Sequence, residues 1–185
     1  LFGSLRFGVF QMSSQHQTLI SIDPGRHSGI AVFINGTLEK AVGLRAHGPG
    51  FDGLSGLLYE AIRETFNTVP ENTQIARVVC ERMVFRPRDT RSNTDDLLQV
   101  TAFGGALVGA LTSHLFRPLC RVSIEYVSAD TWKGAVPKTI MAPRILGKLN
   151  ETEKYSGRFD RDDHNVLDAV GVGLYALGRM RRGGV

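Results

Sequence analysis

The 185-residue chain predicts a single α/β domain built on a five-stranded mixed sheet, its first three strands antiparallel, with helices flanking the sheet. Three observations carry that expectation. Two strand-like runs are joined by Asn35-Gly36, a two-residue hairpin signal. Two further short apolar runs, Ile75 to Cys80 and Val122 to Val127, are separated by a long helix-like segment. The C-terminal stretch then places Val166, Leu167, Val170, Leu174 and Leu177 at helical spacing, a stripe suited to burial.

Each element follows in order. Residues 1–17 are apolar and Gly-rich, then polar, and are expected to be a disordered or non-native extension in which Met12 is a candidate start. The domain proper is expected over 18–185. Leu19 to Ile22 reads as a strand delivering Asp23, ended by the turn-forming Pro24-Gly25. Gly29 to Ile34 and Thr37 to Leu44 pair across the hairpin and complete an antiparallel meander. Asp52 can cap a helix whose Leu54, Leu57, Leu58, Ala61, Ile62 and Phe66 share one face.

Ile75 to Cys80 is a buried strand ending at Glu81, followed by an Arg-rich polar stretch and a helix rich in small residues from about Thr94 to His114. After the strand at Val122 to Val127, Ser128 is placed to cap the turn that carries Trp132 and Lys133. A helix over Thr139 to Leu149 accommodates Pro143 if that residue falls in the first turn. The last helix is expected over Asp163 to Arg181.

Composition excludes several classes. No apolar run approaches the ~20 residues of a membrane-spanning helix, so an integral membrane protein is not expected. Cys80 and Cys120 form no C-x-x-C pair, which argues against a zinc ribbon or a disulfide framework and favours a reducing, cytoplasmic setting. Lys and Arg number 22 against 18 Asp and Glu, and the resulting +4 decides nothing until its distribution is considered.

That distribution is informative. Asp23 and Glu81 end two strands that would emerge side by side if those strands are neighbours, and Asp168 interrupts the apolar run Val166-Leu167-Asp168-Ala169-Val170. Asp-Pro-Gly alone is most often a turn, and Glu81 alone reads as a solvated residue after a strand. A carboxylate on an apolar helix face needs a partner. Gathered at one sheet edge, the three would repel unless divalent cations lay between them. Four arginines (Arg82, Arg86, Arg88, Arg91) against the single Asp89 follow Glu81 directly, a pattern suited to phosphate contacts.

Three separated motifs, Ile20-Ser21-Ile22-Asp23-Pro24-Gly25 with Ser28-Gly29-Ile30-Ala31, Val78-Val79-Cys80-Glu81, and His164-Asn165-Val166-Leu167-Asp168-Ala169, together resemble the signature of RuvC-like Holliday-junction resolvases. Trp132-Lys133-Gly134 and Val136-Pro137-Lys138 are most similar to the bacteriophage branch. The resemblance runs from about Thr18 to Leu177. It implies an RNase H-like fold and a homodimeric endonuclease that cuts four-way DNA junctions symmetrically, with two Mg²⁺ per site, replaceable by Mn²⁺, leaving 5′-phosphate ends. It also implies a cytoplasmic location, the host's if the chain is phage-encoded.

Position by position, Asp23, Glu81 and Asp168 match the family's metal-binding acids. The fourth family ligand falls at Asn165, which is uncharged and cannot serve as a base. His164, one turn before Asp168, is the alternative catalytic residue, and Asp163 a third. Lys133 and Lys138 match lysines of the scissile region, and Arg82, Arg86 and Arg88 suit DNA contacts. Phe85 lies one residue later than the family's junction-wedging phenylalanine; its plainer reading is a core position. The helix containing Leu97, Leu98, Val100, Phe103 to Ala106, Val108 and Gly109 is a dimer element or simply packs on the sheet.

Other readings are a non-catalytic or broad-specificity branched-DNA-binding protein on the same fold, signalled by Asn165, and an actin-like kinase, for which one domain is too short. A proofreading exonuclease would carry a second acid where Gly25 stands.

Overall fold

The computed structural model describes residues 17–48, 50–69, 74–82, 94–113, 122–156 and 160–181. The strands are β1 (Gln17–Asp23), β2 (His27–Ile34), β3 (Thr37–Arg45), β4 (Gln74–Arg82) and β5 (Ser123–Ser128). The helices are α1 (Gly50–Thr68), α2 (Thr94–Ser113), α3 (Ala129–Trp132), α4 (Lys138–Leu146), α5 (Glu151–Ser156) and α6 (His164–Ala176). One sheet runs in the order β3-β2-β1-β4-β5, antiparallel among the first three strands and parallel across β1, β4 and β5. The β2–β3 turn has Asn35 and Gly36 at φ 52° and 80°, the two left-handed residues that a tight hairpin following the strand twist requires.

Alternation along the strands divides the core in two. Ile20 and Ile22 of β1 and Val78 and Cys80 of β4 face Leu54, Leu57, Phe103, Leu107 and Leu111 of α1 and α2. Leu19, Ala31, Phe33 and Val79 face the other way, against Leu167, Val170 and Leu174 of α6, Trp132 of α3 and Met141 and Ile145 of α4. Helix α6 lies close on the sheet: a Cβ added to Gly29 would stand 1.9 Å from the Asn165 carbonyl oxygen, so β2 tolerates only glycine there. Ser21 Oγ donates to the Ala169 carbonyl at 2.7 Å, fixing the helix against β1.

The structure corrects the sequence reading at several points, Asp52 among them, which lies inside the first turn of α1 rather than capping it. Gln17 already belongs to β1. The turn expected after β5 is the short helix α3, the helix expected over Thr139 to Leu149 runs as α4 over Lys138–Leu146, and α5 is an additional short helix. Pro143 sits inside α4 rather than in its first turn. The helix continues past it, and the Gly147 N–H bonds the Pro143 carbonyl at 2.9 Å to close the last turn, exposed at Gly147 and Lys148. Helix α6 stops at Ala176 because Gly178, at φ 70°, turns the chain, with the Arg179 N–H returning to the Leu174 carbonyl at 2.9 Å. No helix among the described residues is long and apolar enough to cross a membrane.

Candidate active site

The sheet register assembles the acids. Strands β1 and β4 run parallel with Ile22 opposite Cys80, so Asp23 and Glu81 come next on their strands at the same end of the sheet. Since Ile22 and Cys80 face α1 and α2, the following residues project toward α6. There α6 presents Asp168, immediately before the Ala169 that Ser21 anchors. All three acids are buried, at 9%, 7% and 8% exposure for Asp23, Glu81 and Asp168.

Burial and mutual repulsion govern this cluster. Asp23 is held well above the ordinary carboxylate range, first by burial and then by the charges of Glu81 and Asp168, with Lys133 and Lys138 only partly offsetting them. Burial likewise raises Glu81, against the pull of Lys133 and a hydrogen bond from Trp132. Lys133 is the main balancing cation: its Nζ lies 2.7 Å from Asp168 Oδ2 and 4.8 Å from the centroid of the Trp132 ring. Burial opposes its charge, yet the hydrogen bond to Asp168 and the three acids keep its pKa above the usual lysine value.

The donors are all oxygen and their charge exceeds what one ammonium balances, which suits a hard divalent cation such as Mg²⁺. Among the described residues, no three Asp, Glu, His or Cys side chains are grouped closely enough as they stand to hold an ion. Lys133 already pairs with Asp168, so Asp23, Glu81 and Asp168 fit a metal by chemistry and require the lysine or the carboxylates to shift to bind it.

The remaining sequence candidates are distributed unevenly. Lys138 opens α4, exposed, yet its charge acts on both Asp23 and Glu81. Arg82 is exposed at the end of β4. Phe85, Arg86 and Arg88 lie outside the described residues. His164 is exposed at the start of α6, whereas Asn165 is half-buried. Asp163 is engaged elsewhere: one carboxylate oxygen accepts the Asn165 and Val166 N–H groups at 2.9 and 3.4 Å, and the other meets His27 Nε2 at 2.8 Å. It caps the helix, and it would have to give up one of these contacts to serve as a fourth ligand.

Sequence reasoning missed the job of Trp132, whose Nε1–H donates to Glu81 Oε2 at 2.8 Å. It also missed the His27 contact to Asp163. The one available signal was a lone tryptophan next to a lysine, in a turn directly after a strand.

No protein-family model and no curated protein matches the chain. Solved structures do. T. thermophilus RuvC in complex with a Holliday junction substrate is 18% identical, with 90% of this chain and 99% of that chain covered and a TM-score of 0.49. Fowlpox virus resolvase in complex with substrate Holliday junction DNA is 10% identical, with 88% of this chain and 99% of that chain covered and a TM-score of 0.50. At 10% identity the likeness to the fowlpox virus resolvase establishes architecture alone: the two chains share one fold, here a five-stranded mixed sheet flanked by helices.

Proposed function

We propose that this protein is a structure-selective endonuclease that resolves four-way DNA junctions by symmetric, metal-dependent phosphodiester hydrolysis. The observation that carries the reading is the convergence of Asp23, Glu81 and Asp168, with Lys133 among them, at one end of a sheet whose fold is shared with a resolvase bound to junction DNA. Held by these acids, with Asn165 or His164 as a fourth ligand, two Mg²⁺ (or Mn²⁺) would supply a water nucleophile at neutral pH and charge neutralisation at phosphorus. Asp23 and Glu81 offer oxygens that burial has left under-neutralised. Lys133, now paired with Asp168, would be released toward a scissile phosphate when a cation takes over that carboxylate. Lys138 and Arg82, both exposed, suit backbone phosphates, and Phe85, Arg86 and Arg88 continue that basic stretch in sequence. Hydrolysis of this type leaves 5′-phosphate and 3′-hydroxyl ends, and the setting is cytoplasmic.

A homodimer matches the two-fold symmetry of a junction cut on opposed strands. Helix α2 supports both roles considered for it: Val100, Phe103 and Val108 are buried in the core, while Leu98, Gly105, Ala106 and Gly109 remain exposed, as do Ile124 and Tyr126 of the edge strand β5. The second reading, a non-catalytic junction-binding protein, is favoured by the uncharged Asn165 and by the lysine resting on Asp168. Purified protein incubated with a labelled four-way junction and with linear duplex separates the two. Paired nicks on the junction alone, dependent on Mg²⁺ or Mn²⁺ and abolished by EDTA, are expected. Tight junction binding with no cleavage under either metal would overturn the nuclease reading in favour of the binding one.

A further inference from the structure

The deepest side chain near the acids is neither acid nor base. Trp132 is fully buried and ends α3, the single turn that follows β5. Register explains its position. In the parallel β4–β5 pair, Glu81 stands opposite Val127 and Arg82 opposite Ser128. One helical turn from Ser128 therefore folds the chain back over the end of β4 and brings the indole under the Glu81 carboxylate. Its Nε1–H donates to Oε2 at 2.8 Å, leaving Oε1 without that restraint.

The opposite edge of the ring bears on α6. A Cβ added to Gly171 would lie 2.5 Å from Trp132 Cζ3, so the indole rests directly on the helix backbone one turn beyond Asp168. Its face supports the Lys133 ammonium that pairs with Asp168. One rigid ring thus touches the carboxylate carried by β4, the helix carrying Asp168 and the cation between them.

We propose that Trp132 is a positioning residue for the metal-binding acids: it fixes the rotamer of Glu81 through Nε1–H and sets the spacing between Glu81 and Asp168 through its contact with Gly171. This rests on the metal-site reading of the three acids. Partners that orient ligating groups typically alter metal affinity by 10-fold or more when removed. The lever here is an N–H on a two-torsion side chain packed on all sides, which holds the carboxylate more firmly than a solvent-exposed donor would.

Trp132 is the sole tryptophan of the chain, which makes the test specific. Growth of a tryptophan auxotroph on β-(3-benzothienyl)alanine replaces this one indole N–H by sulfur while keeping ring size, and Trp132→Phe gives a genetically encoded second case. The expected result is a Mn²⁺ dissociation constant raised about 10-fold by calorimetry, with junction affinity in EDTA unchanged. In the unsubstituted protein, Mn²⁺ should change Trp132 fluorescence with the midpoint found by calorimetry. An analogue-labelled protein that melts as a folded domain and binds Mn²⁺ as tightly as the parent would overturn the positioning role and leave the metal site standing. A parent protein that binds no Mn²⁺ at all would overturn both.

Discussion

A single buried carboxylate and a buried group of three are handled in opposite ways in this molecule. On β3's side of the sheet, Glu153 of α5 is fully buried, and both its oxygens are matched. Arg179 meets them at 2.6 and 2.7 Å, and the N–H groups of Leu38 and Asn150 donate at 2.9 and 2.8 Å. Burial alone would raise its pKa, yet these partners bring it down to about 2. At the end of β1 and β4, three acids share the Lys133 ammonium, and Asp23 and Glu81 are left above the ordinary carboxylate range. The first cluster is saturated and ties α5 and the residues after α6 to the start of β3. The second is short of positive charge, the condition expected where a ligand completes the balance.

The largest effect that would sharpen this contrast is in the second cluster. Asp23→Asn should reduce junction cleavage about a thousandfold or more while retaining junction binding in EDTA, both measurable with one labelled substrate; cleavage surviving in that variant would remove Asp23 from the site. In the saturated cluster, Glu153→Ala leaves Arg179 with only the Gly36 and Lys148 carbonyls and the Leu38 and Asn150 N–H groups without their acceptor, and should cost about 2–3 kcal/mol of unfolding free energy in a urea titration. The fraction that remains folded should cleave normally, since Glu153 touches none of the three acids.

Opposite pH behaviour comes next. Glu153 has a depressed pKa, so its stabilisation is complete above the ordinary value of 4.5 and is lost as pH falls toward about 2. Asp23 and Glu81 have raised values, so the metal-free protein loses stability as pH climbs through and above the ordinary carboxylate range. Mg²⁺ binds the deprotonated acids and should raise the melting temperature more at pH 8 than at pH 5, by the equivalent of about 2.7 kcal/mol at a hundredfold excess over its dissociation constant. Equal stabilisation at both pH values would contradict the under-neutralised picture. The smallest expected effect is His164→Ala, an exposed position that should change stability by no more than about 0.5 kcal/mol. Comparing its Mn²⁺ affinity with that of Asn165→Ala names the fourth ligand, because only the true one loses binding.

Much of this architecture was legible in residue order. Asn35-Gly36 specified the hairpin, and the strand-ending positions of Asp23 and Glu81 anticipated their meeting, because parallel neighbours in register bring equivalent ends together. The C-terminal stripe located α6, and the isolated acid within it pointed toward the cluster. What stayed hidden depends on distant partners. Trp132 meets Glu81 across 51 residues, and nothing in its local sequence names that carboxylate. Glu153 reads as one of many surface acids until Arg179, 26 residues away, turns back over it. Helix α5 has only six residues, too few for periodicity to reveal. Pro143 favours a break in local terms, and packing of Met141 and Ile145 into the core keeps α4 helical around it.

The hydrogen bond from Ser21 to Ala169 joins residues 148 positions apart. During synthesis the first strands leave the ribosome long before the helix that covers them, and their inner face must wait, exposed and prone to sticking, until α6 emerges. The acids inherit that delay. Asp23 and Glu81 have no Asp168 to face until nearly the whole domain has been made, so a truncated or stalled chain carries no assembled cluster.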